Sequence, residues 1–166
     1  EDYLEKGEAA LELLRKSAYS ELREEVKENG WVCHGEYNQH NVLLTKKEIS
    51  VTSFEHWGFD VQMADLYRFM RKILEKYNWD VCLGMKMLRA YHQKKRITLQ
   101  EWQNLKIRFL YPEKYWKLAN YYYSHNKAWI SEKNTQKLEK LTAQKEVWEN
   151  FERKCFGNYP FDRLDQ

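Results

Sequence analysis

Apolar residues spaced three, four and seven positions apart predict that the chain opens with one amphipathic helix, from about Leu4 to Lys27. The apolar face consists of Leu4, Leu11, Leu14, Ala18, Leu22 and Val26. Asn29-Gly30 then gives a stop signal, because glycine readily adopts the left-handed conformation that ends helices. A short apolar segment, Trp31-Val32-Cys33, leads into the polar stretch from His34 to Asn41.

Two short runs of β-forming residues follow this polar stretch. They are Val42-Leu43-Leu44-Thr45 and Ile49-Ser50-Val51-Thr52-Ser53-Phe54. The polar Lys46-Lys47-Glu48 between them predicts that the two strands form a hairpin.

After a loop around His56 to Asp60, the pattern becomes helical and remains so. Thr98 with Glu101 three residues later forms a capping box, and Pro112 suits the first turn of another helix. The predicted helices run from about Val61 to Tyr77, Asp80 to Gln93, Thr98 to Leu110, Pro112 onward and Thr135 to Phe156. The fold class is therefore mainly α with a small β-hairpin.

Composition narrows the function classes. Aromatic residues make up 16% of the 166 residues, with seven Trp and twelve Tyr, so large rings are expected to fill the core. A formal charge of +3 is too small to imply a nucleic-acid partner or an acidic membrane, and no apolar run approaches the roughly 20 residues of a membrane span. Three cysteines without CxxC spacing suit free thiols in a reducing cytosol.

The most informative segment runs from Cys33 to Leu44 and contains His34-Gly35-Glu36, with Asn41 five residues after Glu36. It resembles the catalytic loop H-G-D-x-x-x-x-N of aminoglycoside and choline kinases, which precedes a hairpin carrying their metal-binding Asp. Later blocks resemble the spore-coat protein S type, a branch of the same superfamily found in spore-forming bacteria. These blocks include Asp65-Leu66-Tyr67-Arg68-Phe69-Met70-Arg71-Lys72, Tyr111-Pro112-Glu113-Lys114-Tyr115-Trp116-Lys117 and Asn120-Tyr121-Tyr122.

The resemblance implies that residues 1–166 form the C-terminal, helical lobe of a protein-kinase-like fold, with the N-terminal nucleotide lobe absent from this chain. It implies ATP and Mg²⁺ as cofactors of an active full-length protein, and no cofactor for this part alone, since its six glycines form no phosphate-binding cluster. The implied partners are the missing lobe of the same parent and other spore-coat proteins. The implied location is the cytoplasm, with assembly into the spore coat.

The resemblance also assigns roles within the loop. Glu36 stands at the position of the catalytic base, and Asn41 stands at a catalytic and metal-binding position. His34 and Asp65 match residues that support the loop: His34 braces it, and Asp65 ties the next helix to it.

Two residues depart from the family pattern. Glu36 replaces Asp, and Ser53 replaces the main metal-binding Asp, which exchanges a carboxylate for a neutral hydroxyl. If the strand continued through Ser53, the longer Glu55 would point to the same face and could reach the ion. The departures favour a pseudokinase with a structural role; the alternative is an ATP- and Mg²⁺-dependent phosphotransferase acting on a small-molecule hydroxyl.

Three other features have competing interpretations. The rings and basic residues from Lys106 to Trp129 are interpreted as core, with a substrate or partner groove and a single-stranded nucleic-acid surface as alternatives. Cys33, His34 and His40 match no standard zinc spacing and lack an evident fourth ligand. The charged helix from Thr135 is expected to present a solvated face and to dock through Trp148 and Phe151.

Overall fold

The computed structural model describes residues 2–124 and 131–157, which form a mainly helical body carrying two small sheets. This confirms the predicted fold class. The helices are α1 Asp2–Lys16, α2 Tyr19–Asn29, α3 Met63–Leu74, α4 Val81–Lys94, α5 Leu99–Leu110, α6 Glu113–Ser124, α7 Glu132–Ala143 and α8 Lys145–Phe156. The strands are β1 Val32–Cys33, β2 Val42–Leu44, β3 Ile49–Val51 and β4 Gly58–Phe59.

The prediction of one helix from Leu4 to Lys27 is wrong, because the chain breaks between α1 and α2. At the break the Ser17 hydroxyl and backbone N–H both donate to the Leu14 carbonyl, at 2.8 and 3.2 Å, which ends α1. The buried side of α1 is formed by small residues such as Gly7 and Ala10, so Leu4 and Leu11 are each 47% exposed. The predicted stop at Gly30 is confirmed: it caps α2 with φ +65°.

The predicted hairpin is confirmed, although its second strand is shorter than expected. Strands β2 and β3 pair antiparallel, with Val42 opposite Val51 and Leu44 opposite Ile49. A second sheet, β1 with β4, pairs Val32 with Phe59 and was not predicted. Two residues per strand give too short a pattern for sequence reasoning to detect.

The predicted helices after the hairpin are present as α3 to α6. The Asp80 carboxylate caps α4 by accepting from the Leu83 N–H at 2.6 Å, and the predicted capping box of Thr98 and Glu101 is formed on α5. None of the helices in the described residues is both long and apolar enough to cross a membrane.

The prediction of one helix from Thr135 to Phe156 is also wrong, because α7 ends at Ala143 and α8 begins at Lys145. Gln144 lies between them with φ −92° and ψ 0°, and its side-chain Nε2 donates to the Glu75 carbonyl at 3.1 Å. This hydrogen bond joins residues 69 positions apart, so the sequence around Gln144 does not predict the break between the helices.

The core confirms the expectation of packed rings. Phe109, Phe151 and Trp79 form a cluster with ring centroids 5.5 to 6.4 Å apart, and Phe151 is fully buried. Trp148 docks α8 as expected and donates its indole N–H to the Phe109 carbonyl at 3.0 Å.

Part of the stretch from Lys106 to Trp129 does not belong to the core. Tyr121, Tyr122 and Tyr123 are 39%, 38% and 77% exposed, and α6, which carries them, has no buried residue. Residues 125–129 of that stretch lie outside the described residues.

A hydrogen bond and an ion pair join α3 to α6. The Tyr67 hydroxyl donates to Glu113 Oε2 at 3.0 Å, and Arg71 Nε lies 3.5 Å from the same oxygen. Arg71 also pairs with Glu75, the residue that follows α3, at 2.7 Å. Burial opposes ionisation of Glu113, but Arg71 and Lys117 outweigh it and lower the pKa of this carboxyl below its ordinary value.

Candidate functional site

The loop after β1 is held against the first turn of α3 by Asp65. Its Oδ2 accepts from the His34 backbone N–H at 2.5 Å, and its Oδ1 accepts from the Gly35 N–H at 3.1 Å. The Asp65 side chain is only 18% exposed, so two backbone donors are satisfied by one largely buried carboxylate. This is the position that the resemblance gives to a helix-tying acid.

His34 bridges the loop to the end of the hairpin. Its Nε2 lies 2.7 Å from the Thr52 carbonyl and its Nδ1 lies 3.1 Å from the Glu36 N–H. Because a carbonyl only accepts and an amide N–H only donates, the ring is neutral with its proton on Nε2. The imidazole packs on the Phe54 ring, with 4.6 Å between the ring centroids, and the residue is almost fully buried.

Asn41 closes the loop on itself. Its side-chain Nδ2 donates to the Glu36 carbonyl at 3.0 Å, and its backbone N–H donates to the Asn38 carbonyl at 3.0 Å. The Asn41 carbonyl in turn accepts from the Thr52 N–H at 3.0 Å. With Nδ2 engaged as a donor, the side-chain oxygen of Asn41 remains the group able to act as a ligand.

Glu36 faces a cleft of about 390 Å³ beside the loop. Its carboxylate is 57% exposed and lies 3.9 Å from His56 Nε2. Asp60 and Arg68 line the same cleft, so it presents two carboxylates, one guanidinium and one imidazole to solvent.

Gly35 allows the loop to pass close to the backbone of His56, on the opposite side of this cleft. Its φ is +83°, and an added β-carbon would lie 1.9 Å from the His56 carbonyl oxygen. No side chain fits at this position, and the left-handed backbone also favours glycine.

Ser53 and Glu55 do not occupy one face of a strand. Strand β3 ends at Val51, Ser53 adopts a left-handed conformation with φ +64° and ψ +58°, and Phe54–His56 form a 3₁₀ turn. The side-chain alternation that would bring Glu55 beside Ser53 is therefore absent. Both residues are exposed.

The residues at the loop do not fit a magnesium site. Two of the three candidate ligands, the Asn41 amide oxygen and the Ser53 hydroxyl, are neutral, whereas Mg²⁺ favours carboxylate oxygens. The third, Glu55, lies in the 3₁₀ turn and not on a strand beside Ser53. Across residues 2–124 and 131–157, no group of three His, Cys, Asp or Glu side chains is placed to hold a metal ion. Burial raises the pKa of the Cys33 thiol to about 12, and this thiol donates to the Asp60 carbonyl at 3.3 Å.

Sequence reasoning missed three residues of the cleft, His56, Asp60 and Arg68. Asp60 organises the wall: it accepts from the Val61 N–H at 2.7 Å and pairs with Arg23 at 3.2 Å. The available signal was a run of charged and aromatic residues directly before α3. Without the β1–β4 pairing, this run could not be placed beside Glu36.

Comparison with solved structures shows what the fold is similar to. The solved structure of an aminoglycoside phosphotransferase from Alicyclobacillus acidocaldarius subsp. acidocaldarius DSM 446 is similar, with a TM-score of 0.81 at 19% sequence identity. The match covers 90% of this chain and 45% of that one, so the chain spans less than half the length of the phosphotransferase. This likeness shows the kinase-like fold, and the coverage agrees with a C-terminal lobe.

None of the curated protein sequences compared with the chain matches it significantly. A family model does match, over residues 3–155, which is nearly the whole chain. The chain therefore belongs to the family described as "Spore coat putative kinase YutH".

Proposed function

We propose that this chain is the helical lobe of a catalytically degenerate kinase-fold protein that serves a structural role in the spore coat. One observation carries the proposal: where the resemblance expects the metal-binding Asp, the chain has Ser53, a neutral residue in a left-handed turn. Mg²⁺ neutralises the developing charge in phosphoryl transfer, so a loop without that carboxylate lacks the main anchor for the ion.

Glu36 adds a second obstacle to catalysis. The side chain is one methylene longer than Asp, which displaces the carboxylate by about 1 Å, and misplacement of this size costs on the order of a hundredfold in rate. The two departures act on different parts of the reaction, the base and the metal. Their effects on rate therefore compound.

The proposed partners and location follow from family membership. The protein would be made in the cytoplasm and assembled into the spore coat, and its partners would be an N-terminal lobe of the same parent chain and other coat proteins. We propose no nucleic-acid partner, since a formal charge of +3 gives little phosphate attraction. Fractionation of spores with an antibody to the protein tests the location, and recovery only in the soluble core fraction would contradict it.

The decisive experiment is calorimetric titration of Mg·ATP into the natural full-length protein. We expect no binding heat at millimolar nucleotide from folded protein. Binding that disappears when Mg²⁺ is chelated and weakens in Glu55→Ala would overturn the proposal, because it would demonstrate a working metal site despite Ser53.

A gain-of-function pair sharpens the test. Ser53→Asp restores the carboxylate, and Asp tolerates the left-handed backbone at this position. Ser53→Asn is the matched control, since it has the same size and backbone tolerance without the charge. Mg²⁺-dependent nucleotide binding in Ser53→Asp alone would assign the loss of binding to this position. If neither variant binds nucleotide, Ser53 is not the substitution that prevents binding.

An active phosphotransferase remains the second candidate. It is favoured by Asn41, whose Nδ2 bond to the Glu36 carbonyl leaves an amide oxygen for a ligand, and by the open cleft beside the Glu36 carboxylate. This candidate requires ATP, Mg²⁺ and a small-molecule hydroxyl acceptor. It predicts nucleotide turnover that Glu36→Gln abolishes, measured as ADP release by the full-length protein.

A further inference from the structure

A second cavity, of about 440 Å³, lies among α1, α2, α3 and α5 and is separate from the loop of Glu36. Its volume falls within the range of small-molecule sites, roughly 300–1,000 Å³. Only Arg68 lines both this cavity and the cleft beside Glu36. None of the loop residues His34, Glu36 and Asn41 lines the cavity.

One side of the cavity is apolar. Leu11 and Leu14 of α1 and Ile107 of α5 contribute aliphatic surface, and the rings of Tyr19, Tyr67 and Tyr111 add aromatic surface. Leu11 and Tyr111 are 47% and 41% exposed, so this side of the cavity reaches the surface. Such a lining favours a ring or an alkyl chain over a sugar.

The polar groups of the lining are mainly hydrogen-bond donors. Arg108 Nε donates to Asn104 Oδ1 at 2.8 Å, and its Nη2 lies 3.9 Å from Asp60. Arg68 Nη1 lies 3.7 Å from Asp65 Oδ1, a distance longer than a hydrogen bond. Each guanidinium has five N–H groups, so both retain donors for a ligand.

Asn104 is the most buried polar group of the cavity wall, at 2% exposure. Its Oδ1 accepts from Arg108, which orients the amide. Its Nδ2 carries two N–H groups, which add donors to the same wall. A ligand that supplies an acceptor would bond to them.

Glu113, the carboxylate of the lining, is already satisfied. It accepts from Tyr67 and Lys117 and pairs with Arg71, so it offers little to a cationic ligand. The remaining polar chemistry is two guanidiniums and an amide N–H facing an apolar wall. We infer that this cavity binds an amphipathic anion, a carboxylate carried on an apolar ring or chain, independently of whether the loop is catalytic.

The test uses anilinonaphthalene sulfonate, an aromatic anion that fluoresces when it enters an apolar site. We expect saturable binding of one molecule per folded protein, displaced by decanoate at least tenfold better than by decanol, which has the same chain length without the charge. Arg68→Gln and Arg108→Gln should each weaken binding by about tenfold, the effect of losing one charge-assisted hydrogen bond.

Two substitutions on α1 separate this cavity from other apolar surface. Leu14→Trp fills the cavity and should abolish binding, whereas Leu13→Trp, at an exposed neighbouring position outside the lining, should leave it unchanged. Thermal unfolding followed by circular dichroism establishes that each variant is folded. If Leu14→Trp does not fold, the inference is tested by the binding of the two arginine variants and by the difference in displacement between decanoate and decanol. Equal displacement by both compounds, or no effect of either arginine substitution, would overturn the inference.

Discussion

Replacing Asp65 by Ala should destabilise the protein more than almost any other single change at the loop. The carboxylate accepts two backbone N–H bonds, from His34 at 2.5 Å and from Gly35 at 3.1 Å, while its side chain is only 18% exposed. A hydrogen bond to a charged group contributes about 1.5–3 kcal/mol, and a buried donor left without a partner costs about 1–3 kcal/mol. Taking the lower values for two bonds, we expect a loss of about 3 kcal/mol in the free energy of unfolding.

The assay is urea denaturation followed by tryptophan fluorescence, with a variant of intermediate severity and a matched control. Asp65→Asn keeps one acceptor oxygen and should lose about half as much as Asp65→Ala. Asp80→Asn makes the same change at the exposed cap of α4, where Asn caps as well as Asp, and should stay within about 0.5 kcal/mol of the wild type. If Asp65→Ala also stays within about 1 kcal/mol of the wild type, the argument that Asp65 holds the loop is wrong.

Three further predictions concern the glycine, the cysteines and the ion pairs. Gly35→Ala should lower the free energy of unfolding, measured by urea denaturation, by about 2–3 kcal/mol, because it combines a backbone clash with a left-handed φ. A β-carbon added at Gly58 has no neighbouring atom within 4 Å, so Gly58→Ala should be nearly neutral. At pH 8 the native protein should react with a thiol reagent only at the exposed Cys82, and reaction of more than one thiol per folded chain would contradict this. Burial raises the pKa of the other two thiols, Cys33 and Cys155, to about 12. Glu113→Gln should lower stability by about 2 kcal/mol at neutral pH. Because the folded-state pKa of Glu113 lies below its ordinary value of 4.5, this difference should be complete above about pH 4.5 and should vanish as the pH falls through the folded-state pKa. A difference that persists unchanged at pH 2 would show that the loss is one of packing.

The features that sequence reasoning predicted correctly are those with a local cause. The Gly30 stop, the capping box at Thr98 and the hairpin of Val42 to Val51 each depend on residues within a few positions of one another. The breaks at Ser17 and Gln144 interrupt patterns that remain amphipathic on both sides, so periodicity alone continues through them. The first is made by a serine bonding back to Leu14, and the second by a contact with Glu75.

In the candidate site, too, the features with a local cause were predicted and those that depend on distant contacts were not. The spacing of His34, Glu36 and Asn41 predicts a loop, and the structure closes that loop with the Asn41 bond to the Glu36 carbonyl. Its far wall could not be predicted, because His56 reaches Glu36 only through the pairing of β1 with β4. The end of β3 at Val51, which separates Glu55 from Ser53, depends on a backbone conformation that serine rarely adopts.

The residues that match the kinase pattern and those that depart from it differ in what they contribute to folding. His34, Asn41 and Asp65 each make hydrogen bonds inside the chain, and removing His34 or Asp65 would leave partly buried groups unpaired. Glu36 and Ser53 have exposed side chains, so the fold tolerates different chemistry there. A match at the first three positions therefore follows from the need to fold this loop, whether or not it catalyses a reaction. The two exposed positions are therefore the ones on which the proposed loss of phosphoryl transfer rests, and the resemblance places Ser53 where the family has a metal-binding carboxylate.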